Sequence, residues 1–147
     1  MAKLDASPRL EMTRVFAAPP ERVFRAWVDP KALAEWWGPE NFTCTFMEFD
    51  ARPGGKWRGC MVSPERKEHW VGGVVRVASP PSRLVFTWAW EDNGVPGHET
   101  LISIDFVPHS RGTEMRFVHE NFATVESRDS HNGGWTSSFR DLEKLFA

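Results

Sequence analysis

The sequence of 147 residues contains no tyrosine and only two cysteines. Cys44 and Cys60 fit neither a dense disulfide framework nor a metal motif, so we interpret them as small buried hydrophobic residues. No two histidines stand four residues apart with a carboxylate nearby, which makes a zinc site improbable. The glycines of Arg52-Pro53-Gly54-Gly55 lack a following Gly-Lys-Ser and a following helix, so they indicate a hairpin and not a phosphate-binding loop. We therefore expect no metal and no cofactor.

Strong charge and long apolar runs are also missing. The net charge of −2 provides no basic surface for a phosphate backbone, so we expect no nucleic-acid partner. No run of about eighteen apolar residues occurs, and the start MAKLDASPRLEM lacks the apolar middle of a signal peptide. These features predict a cytoplasmic protein without membrane insertion. The length predicts one domain, over residues 10–147, after a flexible segment at residues 1–9.

Aromatic residues are abundant instead, with 8 Trp and 11 Phe. In the last stretch, residues 125–147, Trp135, Phe139 and Leu142 recur at steps of three and four, which predicts an amphipathic helix. Gly133 and Gly134 each weaken a helix interior by about 1 kcal/mol relative to Ala. Their expected use is therefore a close approach to a sheet, a bend, or space left beside the helix.

The upstream sequence predicts strands and turns around that helix. Residues 10–17 alternate as a strand, and Pro19-Pro20 and Asp29-Pro30 each predict the start of a short helix. Six further segments, at residues 42–50, 56–62, 68–78, 83–90, 99–107 and 113–121, are separated by turns that contain Pro or Gly. Together they predict an α+β fold in which a curved antiparallel sheet wraps around the carboxy-terminal helix.

Several motifs resemble a known superfamily in their order and spacing. They are Arg14-Val15-Phe16, Ala18-Pro19, Val23-Phe24-Arg25-Ala26-Trp27, Trp36-Trp37-Gly38-Pro39, Asp50-Ala51-Arg52-Pro53-Gly54-Gly55 with Trp57-Arg58, Leu84-Val85-Phe86-Thr87-Trp88 and Gly133-Gly134-Trp135. From Leu10 onward the chain resembles the START-like, helix-grip superfamily SRPBCC, in the branch similar to the activator of the heat-shock protein 90 ATPase. The resemblance implies the helix-grip fold and a space between sheet and final helix in which members bind lipids, polyketides, hormones or other apolar molecules. Some members catalyse cyclisations or condensations there.

The resemblance also implies a chaperone as a possible partner. The eukaryotic chaperone activators carry an additional amino-terminal domain that this sequence does not show. Chaperone binding is therefore the less favoured expectation. Exposed aromatic residues make a homodimer plausible.

We predict that a small apolar or aromatic molecule binds between sheet and helix. The candidate ligand-binding residues are Trp36, Trp37, Trp57, Trp88, Trp90, Phe117, His119, His131, Trp135 and Phe139. The alternative is that these rings are packed core, and alternation does not say whether Trp57 or Arg58 faces inward.

Two further alternatives stay open. Residues 36–39 could form a lid or a plain helix end. His119, His131 or a buried carboxylate could serve a cyclase- or hydrolase-type enzyme as acid or base, and the two histidines could instead be structural, so the residues do not decide whether the protein is an enzyme. Arg14, among apolar neighbours, needs a carboxylate partner or a bound anion, and we favour a pair with Glu48 or Asp50 over anion binding.

Overall fold

The computed structural model describes residues 7–146. Within this range the elements are β1 (Leu10–Phe16), α1 (Pro20–Val28), α2 (Pro30–Trp36), β2 (Thr43–Phe49), β3 (Lys56–Val62), β4 (Glu68–Ser79), β5 (Arg83–Asp92), β6 (Val95–Pro96), β7 (Thr100–His109), β8 (Gly112–Glu120) and α3 (Val125–Lys144). The predicted α+β fold is confirmed.

The strands form one antiparallel, curled sheet in the order β1-β8-β7-β5-β4-β3-β2, with the short β6 paired to β5. Apart from the short β6, which does not pair with β7, strands adjacent in sequence pair from β2 onward, as the short turns predicted. The first strand instead joins β8 at the other edge of the sheet. Helices α1 and α2 therefore connect one edge of the sheet to the other, and Arg22 of α1 donates to the carbonyl of Leu145 at the end of α3 at 3.0 Å.

The helix boundaries follow local capping chemistry. Asp29 Oδ1 accepts the backbone N–H of Lys31 at 3.1 Å, with Pro30 at the first position of α2. Thr124 Oγ1 caps α3 by accepting the N–H of Ser127 at 3.0 Å. The final helix ends at Lys144, earlier than predicted, and Phe146 continues from it to pack edge-on against the ring of Phe16.

Aromatic rings fill the centre of the molecule between the sheet and α3. The ring of Trp27 lies 4.7 Å from that of Trp36, 6.0 Å from that of Phe117 and 5.8 Å from that of Trp135, measured between centroids. Trp27 is 1% exposed. A void beside it measures only about 10 Å³, which is about the volume one water molecule needs. At its centre, the expected gap between sheet and helix is thus filled by the protein's own side chains.

The predicted ion pair of Arg14 was wrong. Strands β1 and β2 lie at opposite ends of the strand order, so residues 48 and 50 are not on a neighbouring strand. The guanidinium of Arg14 donates to the carbonyl of Thr13 at 2.9 Å, and Asp50 pairs with Arg52 at 2.8 Å. Strand neighbours far apart in sequence could not be assigned from periodicity.

The division into a flexible segment 1–9 and a domain 10–147 stays a prediction, since residues 1–6 and 147 lie outside the described residues. Pro8 and Arg9 of that segment contact the rest of the chain: the carbonyl of Pro8 accepts the N–H of Phe122 at 3.3 Å, and Arg9 lies 3.8 Å from Glu120. No helix between residues 7 and 146 has the length and apolar character needed to cross a membrane. The cytoplasmic location stays a prediction.

Candidate functional site

A pocket of about 190 Å³ opens between α3, the turn after α2, and strands β3 and β5. Most of its surface is apolar. The described residues that line it are Trp37, Gly38, Pro39, Met61, Trp88, Trp90, Ser130, His131, Gly134, Trp135 and Ser138. None of these carries a carboxylate, an ammonium or a guanidinium group.

The pocket is left open where α3 has no side chain. A Cβ atom at Gly134 would lie 3.7 Å from Cγ of Pro39, which is ordinary contact, and Gly134 borders the pocket. A Cβ atom at Gly133 would meet nothing within 4 Å, and this residue is exposed. Of the uses predicted for the two glycines, space beside the helix applies to Gly134, whereas the structure gives no packing reason for Gly133.

Two contacts fix the turn that forms one side of the pocket. The hydroxyl of Ser138, on α3, donates to the carbonyl of Gly38 at 2.8 Å. The ring of Trp37 lies directly on strand β3 at Gly59, where a Cβ atom would approach the Trp37 ring to 3.0 Å and Cε of Met47 to 2.7 Å. A side chain at position 59 would therefore require Met47 to move and would press on the ring of Trp37.

His131 is held as a neutral imidazole at the pocket. Its Nδ1 lies 2.7 Å from the carbonyl of Ser127, and its Nε2 accepts the indole N–H of Trp90 at 2.9 Å. Because an indole N–H can only donate, Nε2 carries no proton and Nδ1–H donates to the carbonyl. Burial lowers the pKa of His131, against the raising effect of that carbonyl, which favours the same neutral form.

His119 lies behind the pocket wall in a closed chain of hydrogen bonds. The indole N–H of Trp135 donates to its Nδ1 at 3.1 Å, so the proton is on Nε2, which lies 2.7 Å from Thr100 Oγ1. That hydroxyl donates in turn to the carbonyl of Trp88 at 2.9 Å. Burial, with a smaller effect of His131, lowers the pKa of His119 to about 2. His119 is therefore neutral at ordinary pH, and both of its ring nitrogens are occupied.

The structure separates the ten predicted site residues. Five of them line the pocket, namely Trp37, Trp88, Trp90, His131 and Trp135. The other five do not border it: Trp36, Trp57, Phe117 and Phe139 belong to the aromatic core, and His119 is fully buried. That any of the ten binds a ligand stays a prediction.

Strand phase and helical spacing place several of these residues. Trp57, not Arg58, faces inward, and its indole donates to the carbonyl of Thr87 at 2.8 Å. Met61 was missed, although strand alternation places it on the same face as Trp57. Ser138 was not among the predicted site residues, yet it is 2% exposed and follows Gly134 by four residues, which is one helical turn.

Three of the four indole N–H groups on the wall, those of Trp88, Trp90 and Trp135, are used within the protein or shielded from the pocket. The N–H groups of Trp90 and Trp135 bind the two histidines. The N–H of Trp88 is buried and has no hydrogen-bond partner among the described residues, with less than 1 Å² of exposed surface. These three residues thus offer ring surface, not N–H donors, to a ligand. Among residues 7–146 no cluster of His, Cys, Asp or Glu is arranged to hold a metal ion.

A curled antiparallel sheet around a carboxy-terminal helix, with a small aromatic pocket at the helix, defines a helix-grip protein of the SRPBCC type. The family model described as "Activator of Hsp90 ATPase homolog 1-like protein" matches residues 17–147, and the chain belongs to this family. The resemblance inferred from the motifs is thereby confirmed.

Solved structures of similar proteins support the same assignment. The AHSA1 protein from Silicibacter pomeroyi is 32% identical, with a TM-score of 0.86 over 94% of this chain and 96% of that one. A protein from Chromobacterium violaceum is 31% identical, with a TM-score of 0.86 over 95% and 97% of the two chains. One from Nitrosomonas europaea is 27% identical, with a TM-score of 0.82 over 97% and 96%. No curated protein matches the chain.

Proposed function

We propose that this protein binds a small molecule whose buried part is no larger than a single ring, in the pocket at Gly134. The observation that carries the proposal is the pocket itself, about 190 Å³ of space bounded by aromatic side chains and free of charged groups among the described lining residues. A cavity of about 150 Å³ is enough for benzene, whereas pockets for drug-sized ligands hold about 300–1,000 Å³. Long acyl chains and multi-ring ligands exceed the space available.

The binding free energy would come mainly from apolar area removed from water, at about 25 cal/mol per Å². Part of that gain offsets the loss of ligand translation and rotation. We therefore expect dissociation constants in the micromolar to millimolar range for ligands of this size.

The enzyme alternative is less well supported by the geometry. A general acid or base must reach the substrate and exchange a proton near the working pH. His119 has a pKa of about 2 and no free nitrogen, and no carboxylate lines the pocket among the described residues, so His131 remains as the candidate there. His131 would first have to release the indole of Trp90 or the carbonyl of Ser127. Binding of a chaperone and formation of a homodimer stay predictions.

A matched pair of helix variants tests the proposal. Gly134→Leu places a side chain in the pocket, whereas Gly133→Leu adds the same side chain one residue away, where a Cβ atom would meet nothing within 4 Å. Both changes alter helix propensity alike. A thermal-shift screen of single-ring and short-chain compounds, read together with tryptophan emission, should find ligands that raise the Tm of the wild type and of Gly133→Leu. Gly134→Leu should lose that response.

Two results would contradict the proposal. A ligand that stabilises Gly134→Leu as much as Gly133→Leu binds elsewhere, and the proposal would then be wrong. The same conclusion follows if no compound of benzene size raises the Tm of the wild type at millimolar concentration.

A further inference from the structure

The polar groups on the pocket wall indicate what the ligand carries besides its ring. Resting on the proposed function, we propose that the ligand bears a neutral hydrogen-bond acceptor, such as a carbonyl oxygen, and that this atom accepts the indole N–H of Trp37. The step beyond the preceding section is one specified bond, which requires an acceptor atom on the ligand and assigns its partner in the protein.

The N–H of Trp37 is the uncommitted indole donor of the pocket wall. The indoles of Trp90 and Trp135 donate to the two histidines, and the N–H of Trp88 is shielded. The N–H of Trp37 has no hydrogen-bond partner among residues 7–146. Within the same range, the side-chain donors that are both fully buried and unpartnered are those of Trp27 and Trp88. The N–H of Trp37 is therefore in contact with open space.

That open space is the pocket. Trp37 is 4% exposed and borders two spaces, the pocket and the inner void of about 10 Å³. The wall of the void is entirely apolar, so no N–H group faces it. The six-membered ring of Trp37 lies against β3, with Cζ3 and Cη2 at 3.0 Å from the place of a Cβ atom at Gly59, so the five-membered ring with the N–H points away from that strand. An N–H lies at the edge of its ring and needs little exposed area.

The other polar side chains of the wall do not offer such a donor. The hydroxyl of Ser138 donates to the carbonyl of Gly38, and Nδ1–H of His131 donates to the carbonyl of Ser127. Ser130 is exposed to solvent at the rim. A ligand that fills the pocket removes water from the N–H of Trp37, and a donor that loses water without gaining a partner costs free energy. A ligand with an acceptor at this point therefore binds more tightly than one without.

The charge of the acceptor follows from the same wall. A carboxylate would bring a full negative charge into the pocket, and one N–H leaves most of that charge uncompensated. None of the described lining residues is positively charged, because His131 is held neutral by its two hydrogen bonds. A carbonyl oxygen is neutral, accepts the N–H and has no hydrogen that needs an acceptor in turn. Cyclohexanone combines such an oxygen with a single ring.

Two probes that differ in one group test the bond. Cyclohexanone and methylenecyclohexane have nearly the same shape, but only the ketone has an acceptor. In an NMR titration of protein labelled at the indole nitrogens, the N–H signal of Trp37 should move downfield when the ketone binds, as a hydrogen bond to a carbonyl requires. Methylenecyclohexane should cause no such movement. The same titrations give the dissociation constants of both probes.

Removal of the donor locates the effect. Benzothienylalanine in place of Trp37 keeps the two fused rings and exchanges the N–H for a sulfur atom. The dissociation constant of the ketone divided by that of the alkene should rise about tenfold in this variant, which is the effect of one hydrogen bond on a desolvated acceptor. The same replacement of Trp70 is the matched control, because Trp70 lies outside the pocket and donates to Glu68, so the ratio should stay at the wild-type value.

The outcomes distinguish this inference from the proposed function. If the ratio is the same with and without the N–H at residue 37, or if saturating ketone leaves the wild-type Trp37 signal in place, the acceptor proposal is overturned while binding of a small molecule stands. The wild-type signal decides the question if the benzothienylalanine variant does not fold. If neither probe nor any other ring compound binds, and Gly134→Leu changes nothing, both proposals are overturned together.

Discussion

At the scale of single residues, the two histidines show what the sequence could and could not specify. Alternation along β8 placed His119 on the same face as Phe117, so its inward direction was predictable. Its hydrogen-bond partners were not, because Thr100 and Trp135 belong to different elements, and only the folded chain brings them to its two nitrogens. The same partners turn a candidate proton shuttle into a structural link.

Burial of neutral His119 predicts a loss of stability in mild acid. The ordinary pKa of histidine, about 6.5, applies to the unfolded chain, and the folded value is about 2. Between these values the unfolded chain binds the extra proton, so the free energy of unfolding falls as the pH drops below about 6.5. From pH 7 to pH 5 this one group should remove about 2 kcal/mol, measurable by urea denaturation. The lowered pKa of His131 acts in the same direction.

The variant His119→Gln is the control for that prediction. Its amide oxygen can accept from Trp135 and its amide N–H can donate to Thr100, but it does not titrate. The difference in stability between pH 7 and pH 5 should shrink by about 2 kcal/mol in this variant. An unchanged difference would mean that other groups cause the acid sensitivity.

At the scale of elements, α3 illustrates how far periodicity reaches. The apolar stripe of Trp135, Phe139 and Leu142 predicted the buried face, and all three are at most 4% exposed. Propensity alone would disfavour this helix at Gly133 and Gly134, so packing of the stripe is what stabilises it. The stripe did not reveal that the two glycines differ, since that depends on Pro39, which is distant in sequence.

At Gly133 the helix can therefore be stabilised by a substitution that causes no steric clash. Gly133→Ala adds a methyl group that meets nothing within 4 Å and removes the flexibility of a glycine within the helix. The free energy of unfolding should rise by up to about 1 kcal/mol, with ligand binding unchanged. Chemical denaturation measures the first, and the thermal-shift response measures the second. A lower free energy of unfolding for Gly133→Ala would contradict this prediction and would indicate that residue 133 must be a glycine.

Sheet order was predictable where turns are short and not where they are long. The Asn93-Gly94 pair has positive φ at both residues, 51° and 82°, as a tight hairpin requires, although the two-residue β6 beyond it was not predicted. The pairing of β1 with β8 joins the two ends of the sequence, and no turn signal encodes it. The error over Arg14 follows directly, because its expected partners were assigned to the wrong neighbouring strand.

At the scale of the whole molecule, the free space is set by how completely the aromatic rings pack. The sequence supplied the number of rings and their common face, but not the packing density, which depends on rotamers and ring tilts. The result is a filled centre with an inner void of about 10 Å³ and an outer pocket of about 190 Å³. Trp37 and Trp88 border both spaces and separate them.

Because Trp37 helps to separate the pocket from the inner void, we expect an upper limit on ligand size, and substitution of Trp37 should raise that limit. In a series of ligands that grows from one ring to two fused rings, the rise in Tm of the wild type should disappear beyond about eight non-hydrogen atoms, before the second ring is complete, since a cavity near 150 Å³ is filled by benzene. Trp37→Leu exchanges an indole for a smaller apolar side chain and joins the two spaces, so larger members of the series should now stabilise the protein. The variant should itself lose stability, by about 2–4 kcal/mol, because a buried ring is removed from the core. A size limit unchanged in Trp37→Leu would show that Trp37 does not set the depth of the pocket.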